Sequence, residues 1–138
     1  ITEGALLEVD DDLLQALQLV RDQGFLIALD DFGIGYSSFS KLPRLPLDFL
    51  KLDKSFVDAL ERGTAAQAVC HTIVSLAHDL GMKVVAEGVE GEIQRLQLLQ
   101  METDFFQGYL FSRPLSVRDF AVWALGQCQA SAQAPVVA

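Results

Sequence analysis

Apolar and polar positions along the chain follow two alternating rhythms. Four short apolar runs, at 25–31 (FLIALDD), 47–53 (LDFLKLD), 82–90 (MKVVAEGVE) and 105–111 (FFQGYLF), have the length and β-forming content of buried strands. Between them, apolar residues recur at spacings of three and four, which gathers them on one face of a helix. The first helix opens at Asp10, Asp11 and Asp12, carries Leu13, Leu14, Leu17 and Val20 as its stripe, and ends at Gly24. A second spans about 65–80, with Val69, Cys70, Ile73, Val74, Ala77 and Leu80 inward and Gly81 as its cap. A third, 92–100, presents Ile93, Leu96 and Leu99. The last opens at Ser116 with Asp119 three residues on, a capping-box-like pair, and turns Val117, Phe120, Ala121, Ala124 and Leu125 inward. Residues 54–63 read as a loop, and Pro43 and Pro46 break a short turn that begins near Tyr36. From Gln127 the periodicity is lost, so 127–138 is expected to be a disordered tail to a domain over 1–126. Strands alternating with helices through right-handed crossovers predict an α/β fold on a parallel sheet.

Each strand turns polar at its carboxyl end. The first ends in Asp30 and Asp31, whose neighbouring carboxylates repel unless a counter-charge, a shared proton or a metal lies between them. The second carries Lys51 and Asp53, two apart and therefore on one face of an extended strand. The third ends in Glu87, Gly88 and Glu90, and the fourth has Gln107 and Gly108 amid aromatic residues. A parallel sheet aligns all four ends along one edge, where ligands bind in such folds. Carboxylate oxygens alone suit a hard divalent cation such as Mg²⁺ or Mn²⁺. The bland alternatives are a solvated acidic loop and a structural ion pair from Lys51 to Asp31 or Asp53. His71 and His78 lie seven apart, too far for paired zinc ligation along a helix, and read as surface residues. Gly33 and Gly35 give the bend after Asp31 conformational freedom, while Phe32 and Phe39 read equally as core.

The runs DDFGIGYSSFSKLPRLPLDFLKLDKSFV, VVAEGVE and DFFQGYLFSRPLS resemble the EAL family, bacterial phosphodiesterases that hydrolyse cyclic di-GMP to linear pGpG with two Mg²⁺ or Mn²⁺ ions. The resemblance covers about residues 1–125. It implies the carboxyl-terminal half of a TIM-like (β/α)₈ barrel, about four βα units, without the Glu-Ala-Leu segment that names the family. It also implies roles. Asp30, Asp31 and Glu87 match metal ligands, with three catalytic residues: Lys51 to orient the attacking water and offset phosphate charge, Glu87 as base for that water, and Asp53 to position Lys51 or hold metal-bound water. Gln107 matches a position that faces the ligand and the metal waters, and Gly108 and Arg113 are further substrate-binding candidates, although Arg113 reads equally as a surface residue. Glu3 matches a glutamate that holds the loop after the Asp-Asp strand, and Glu90 a neighbouring supporting acid. Gly91 stands where a threonine is frequent, which removes a capping hydroxyl from the following helix. The family's upstream metal ligands are absent, so the 138-residue chain by itself is expected to have little or no activity. The rival function is a non-catalytic module that binds cyclic di-GMP and signals through dimer contacts. A preceding sensor or cyclase domain and a cytoplasmic location, alone or as the cytoplasmic part of a membrane-anchored receptor, complete the expectation.

Composition changes this picture in two respects. A net charge of −9 argues against binding a DNA or RNA polymer, whose phosphates demand a basic footprint, and makes cations necessary for any phosphodiester ligand. An apolar fraction of 51% is high for a small domain, and a half-barrel leaves open strand edges, so a homodimer is expected. No apolar run reaches the ~20 residues of a membrane span, so no direct insertion is expected. Cys70 and Cys128 share no metal or redox spacing and are expected to be reduced.

Overall fold

The computed structural model of the chain describes residues 1–4, 9–33 and 39–132. Expectations for Gly35 and for the turn at Tyr36 to Ser38 fall outside them. Four parallel strands, β1 (Ala28–Phe32), β2 (Phe49–Leu52), β3 (Lys83–Ala86) and β4 (Phe105–Phe106), lie side by side in chain order. A parallel bridge between Thr2 and Asp30 continues the ladder past β1, through Asp30 N–H donating to Ile1 O at 2.7 Å. Helices α1 (Asp11–Asp22), α2 (Lys54–Ala59), α3 (Thr64–Asp79), α4 (Glu92–Gln100) and α5 (Val117–Ala132) connect or follow the strands.

Period-two alternation sorts the sheet into two faces. Leu29, Phe32, Leu50, Leu52, Val84 and Ala86 are wholly buried, with Val57, Cys70, Val74, Ala77 and Leu98 in the same core. The opposite face carries Phe49, Lys51, Lys83, Val85 and Phe105 and stays open. Phe105 there is 44% exposed, although its ring lies 5.9 Å from that of Phe49 and under the Lys83 ammonium. A core on one face and a bare opposite face are the two sides of a barrel wall.

Helix boundaries follow the expected signals, but the faces do not all follow. Asp10 caps α1 by accepting from Leu13 N–H at 2.8 Å, and Gly24 and Gly81 hold positive φ after α1 and α3. Val69 is exposed, because the α3 stripe that meets the sheet is Cys70, Ile73, Val74 and Ala77. On α4 the expectation inverts: Ile93, Leu96 and Leu99 face outward, while Gln94 and Leu98 are buried. Over residues 117–126 the side chains of α5 are largely exposed, including Val117, Phe120 and Leu125, so among the described residues its expected inner stripe meets no core. This helix runs to Ala132, and residues 133–138 lie outside the described set. Residues 54–63 are not a loop but α2 and a 3₁₀ turn at Leu60–Arg62. The signal overlooked was Asp53 as an N-cap ahead of Phe56, Val57 and Leu60. Pro43 sits inside a 3₁₀ segment, Phe39–Arg44, rather than ending it. Phe111 is exposed, since β4 stops at Phe106.

Cys70 is buried, and burial pushes its thiol up to about 11, so it stays protonated and inert at neutral pH. His78 is not a bare surface residue. Its Nε2 lies 2.8 Å from Asp104 Oδ2, which also accepts the Val84 N–H at 2.8 Å and so ties α3, β3 and the start of β4 together. Burial alone would raise the Asp104 pKa, but the Val84 and His78 hydrogen bonds outweigh it and hold it below the usual range. A lowered carboxylate pKa gives stability that is present above the unfolded value and lost as pH falls through the folded one. Asp104→Asn is therefore expected to cost about 1 kcal/mol in urea denaturation at pH 7, with the gap to the parent chain narrowing below about pH 4. At Gly108 a Cβ would stand 2.1 Å from Val89 O and 2.3 Å from Val89 N, backbone atoms that cannot yield. Gly108→Ala is expected to lower stability by several kcal/mol, roughly 3 or more, and to abolish a cooperative melt followed by circular dichroism.

Candidate metal centre

Two adjacent residues on a regular strand point to opposite faces, so Asp30 and Asp31 need a local irregularity to act together. β1 supplies it. Leu29 pairs with Leu50 but Phe32 pairs with Leu52, so three steps on β1 oppose two on β2, a β-bulge. Asp31 takes φ +57 within it, a left-handed conformation that aspartate tolerates better than most residues. Asp31 N–H also donates to Asp30 Oδ1 at 3.2 Å.

The bulge aims both carboxylates at Glu87, the residue after β3, whose N–H donates to Leu52 O at 3.0 Å. One oxygen from each of Asp30, Asp31 and Glu87 lies within 4.8 Å of the other two. Lys51 on β2 reaches between them, with Nζ 2.7 Å from Asp30 Oδ1 and 2.5 Å from Glu87 Oε1. The sequence-level ion pair of Lys51 with Asp31 or Asp53 is thus corrected: its partners are Asp30 and Glu87. Lys51 is about a quarter exposed. Burial opposes its charge, but hydrogen bonds to Asp30 and Glu87 outweigh that and keep its pKa above the ordinary lysine value. Its hydrogen bond holds the Asp30 carboxyl below the usual range despite partial burial. Both groups are therefore charged at neutral pH. Three carboxylates against one ammonium leave local negative charge, and an all-oxygen donor set of that spacing fits a hard divalent cation.

Asp53 stands beside this cluster, not within it. β2 ends at Leu52, so alternation no longer aligns Asp53 with Lys51; its Oδ1 instead accepts the Ser55 N–H at 2.8 Å and caps α2. Burial raises its pKa, and hydrogen bonds from Ser55 and the Lys54 N–H lower it further than burial raises it. Glu3 is buried, and its Oε2 accepts the Gly33 N–H at 2.9 Å, tying the start of the glycine bend to the amino-terminal segment.

The loop after β3 is held from several sides. Glu90 pairs with Lys54 of α2, whose stem fills the space beside Gly88, where φ is +68. Gln94 Oε1 accepts the Glu90 N–H at 2.9 Å and the Gly91 N–H at 3.0 Å. This buried amide satisfies the N–H groups just ahead of α4, not the first-turn donors that a hydroxyl at 91 would cap, and it accounts for the polar residue on the inner face of α4. Val89 N–H donates to Gln107 O at 3.0 Å, and Gln107 N–H to Ala86 O at 2.8 Å. Lys54, Glu87, Gly88, Glu90, Gln107 and Tyr109 are among the residues around a cavity of about 310 Å³. Gly108 lines it too, though its close packing on Val89 accounts for the glycine. Arg113 is exposed, over the Tyr109 ring at 5.1 Å, and is not among the residues around this cavity. Lys54, Gln94 and Tyr109 were not foreseen as site residues. An Asp-Lys at a strand-to-helix junction and a glutamine three residues after a missing cap were the available signals.

Among known proteins, the model of the EAL domain family matches residues 1–114. The chain is 43% identical over 115 residues to the cyclic di-GMP phosphodiesterase NbdA of Pseudomonas aeruginosa, a match that covers 83% of this chain and 15% of NbdA. The crystal structure of the EAL domain of Mycobacterium smegmatis DcpA superposes with a TM-score of 0.82 at 36% identity, covering 91% of this chain and 57% of that one. The manganese/cyclic di-GMP complex of Klebsiella pneumoniae BlrP1 gives a TM-score of 0.74 at 38% identity, covering 82% of this chain and 29% of BlrP1. The chain spans 15 to 32% of the length of the curated relatives it matches, and its four-stranded sheet is part of a barrel. Sequence match, sheet topology and superposition agree: this chain belongs to the EAL domain family.

Proposed function

We propose that this chain supplies one wall of a phosphodiesterase site that hydrolyses cyclic di-GMP to linear pGpG within its intact parent domain, in the cytoplasm. The observation that carries the proposal is the convergence of Asp30, Asp31, Glu87 and Lys51 at the carboxyl ends of three parallel strands. The relatives named as cyclic di-GMP phosphodiesterases support the substrate, and the manganese complex supports use of a divalent ion.

Mg²⁺ or Mn²⁺, two per intact site, would when bound polarise the phosphodiester and favour ionisation of water. Asp30, Asp31 and Glu87 would hold such cations. Lys51 places a fixed positive charge where negative charge grows on the phosphate oxygens. Glu87, the residue after β3, is placed to orient the attacking water and accept its proton. Asp53 acts through α2: by capping it, Asp53 fixes the turn that links Lys51 to Lys54. Gln107 and Arg113 extend the substrate surface beyond the metal centre, and Glu3 and Glu90 hold the loops on either side of it.

Metal-dependent release of pGpG by the intact domain, followed by chromatography, tests this. EDTA is expected to abolish turnover, and Asp30→Asn to reduce it by at least about a hundredfold, with the circular dichroism spectrum unchanged. Tight cyclic di-GMP binding without product, in metal-loaded domain, would favour the receptor function instead. The open sheet face and exposed Leu26 (69%) and Ile93 (65%) also support self-association of the chain. Equilibrium sedimentation at micromolar concentration is expected to give at least twice the 15.1 kDa chain mass.

A further inference from the structure

The Lys51 ammonium touches two of the three carboxylates that would hold a cation. Its Nζ is 2.7 Å from Asp30 Oδ1 and 2.5 Å from Glu87 Oε1, two of the three carboxylates that converge within 4.8 Å. A divalent ion ligated by the oxygens that Lys51 touches would sit roughly 2.0 to 2.6 Å from each. Ion and ammonium therefore contend for overlapping space and for the same lone pairs, and their like charges repel at that range. Lys54 provides the contrast: a cation of the same kind, one turn of chain away, that pairs with Glu90 outside the three-carboxylate set.

We infer that Lys51 is an internal counter-ion that occupies the cation site when metal is absent and must leave Asp30 and Glu87 for a divalent ion to bind. This rests on the metal-site assignment proposed above. Two consequences follow from the charges. Without metal, the ammonium offsets repulsion among the carboxylates and lets the bulge form. With metal, the ammonium is released from both carboxylates and becomes available to an anionic ligand, so loading the ion and readying the lysine are one event.

The test is Mn²⁺ binding to the intact domain, measured by calorimetry, for the parent, Lys51→Met and, as a control on the open sheet face away from the three carboxylates, Lys83→Met. If Lys51 competes, Lys51→Met is expected to bind Mn²⁺ roughly tenfold more tightly, and Lys83→Met within about twofold of the parent. Equal or weaker binding by a folded Lys51→Met would overturn the inference while leaving the metal site intact. Absence of Mn²⁺ binding in the parent would overturn both. Should Lys51→Met fail to fold, the parent still decides: on titration with diamagnetic Mg²⁺, the Lys51 ε-methylene NMR resonances are expected to shift and those of Lys83 to stay. Resonances of Lys51 that do not move as Mg²⁺ saturates the site would refute displacement.

Discussion

Electrostatic repulsion between neighbouring carboxylates is the constraint around which the rest is arranged. Asp30 and Asp31 are useful only if they point the same way, and a regular strand forbids that. One extra residue on β1 solves the geometry, at the expense of a left-handed aspartate and an interrupted ladder. Lys51 answers the charge by bridging Asp30 and Glu87 from the neighbouring strand. The flanking contacts then read as supports: Glu3 on Gly33, the Thr2 bridge to Asp30, and the hydrogen bond from Glu87 to Leu52.

The strands and their polar ends were legible because two simple rules suffice for them. Apolar runs of five to seven residues make buried strands, and parallel order aligns their carboxyl ends. The partners of Lys51 were not legible. Alternation links Lys51 to Asp53 within a strand, but β2 stops at Leu52, and the true partners come from strands on either side. Nor does sequence periodicity reveal a bulge, since the extra residue is defined only by what β2 pairs with.

The helix faces failed for a different reason. On α4, Ile93, Leu96 and Leu99 form a sound apolar stripe, yet Gln94 faces the interior. The backbone N–H groups of Glu90 and Gly91 need an acceptor, and satisfying two donors near a buried turn outweighs placing another aliphatic side chain inward. For α5 the stripe exists but the described residues offer no core for it to meet. Periodicity reports which side of a helix is apolar, and not whether anything covers it.

The left-handed turn at Asp31 has a bearing on how this cluster is dissected by mutagenesis. Alanine at that position removes an oxygen donor and also a residue suited to the bend, so two defects are confounded. Asparagine adopts the same backbone region readily and removes the negative charge alone. Ranking the three acids by alanine scanning would therefore overstate Asp31 relative to Asp30 and Glu87, which adopt no such conformation.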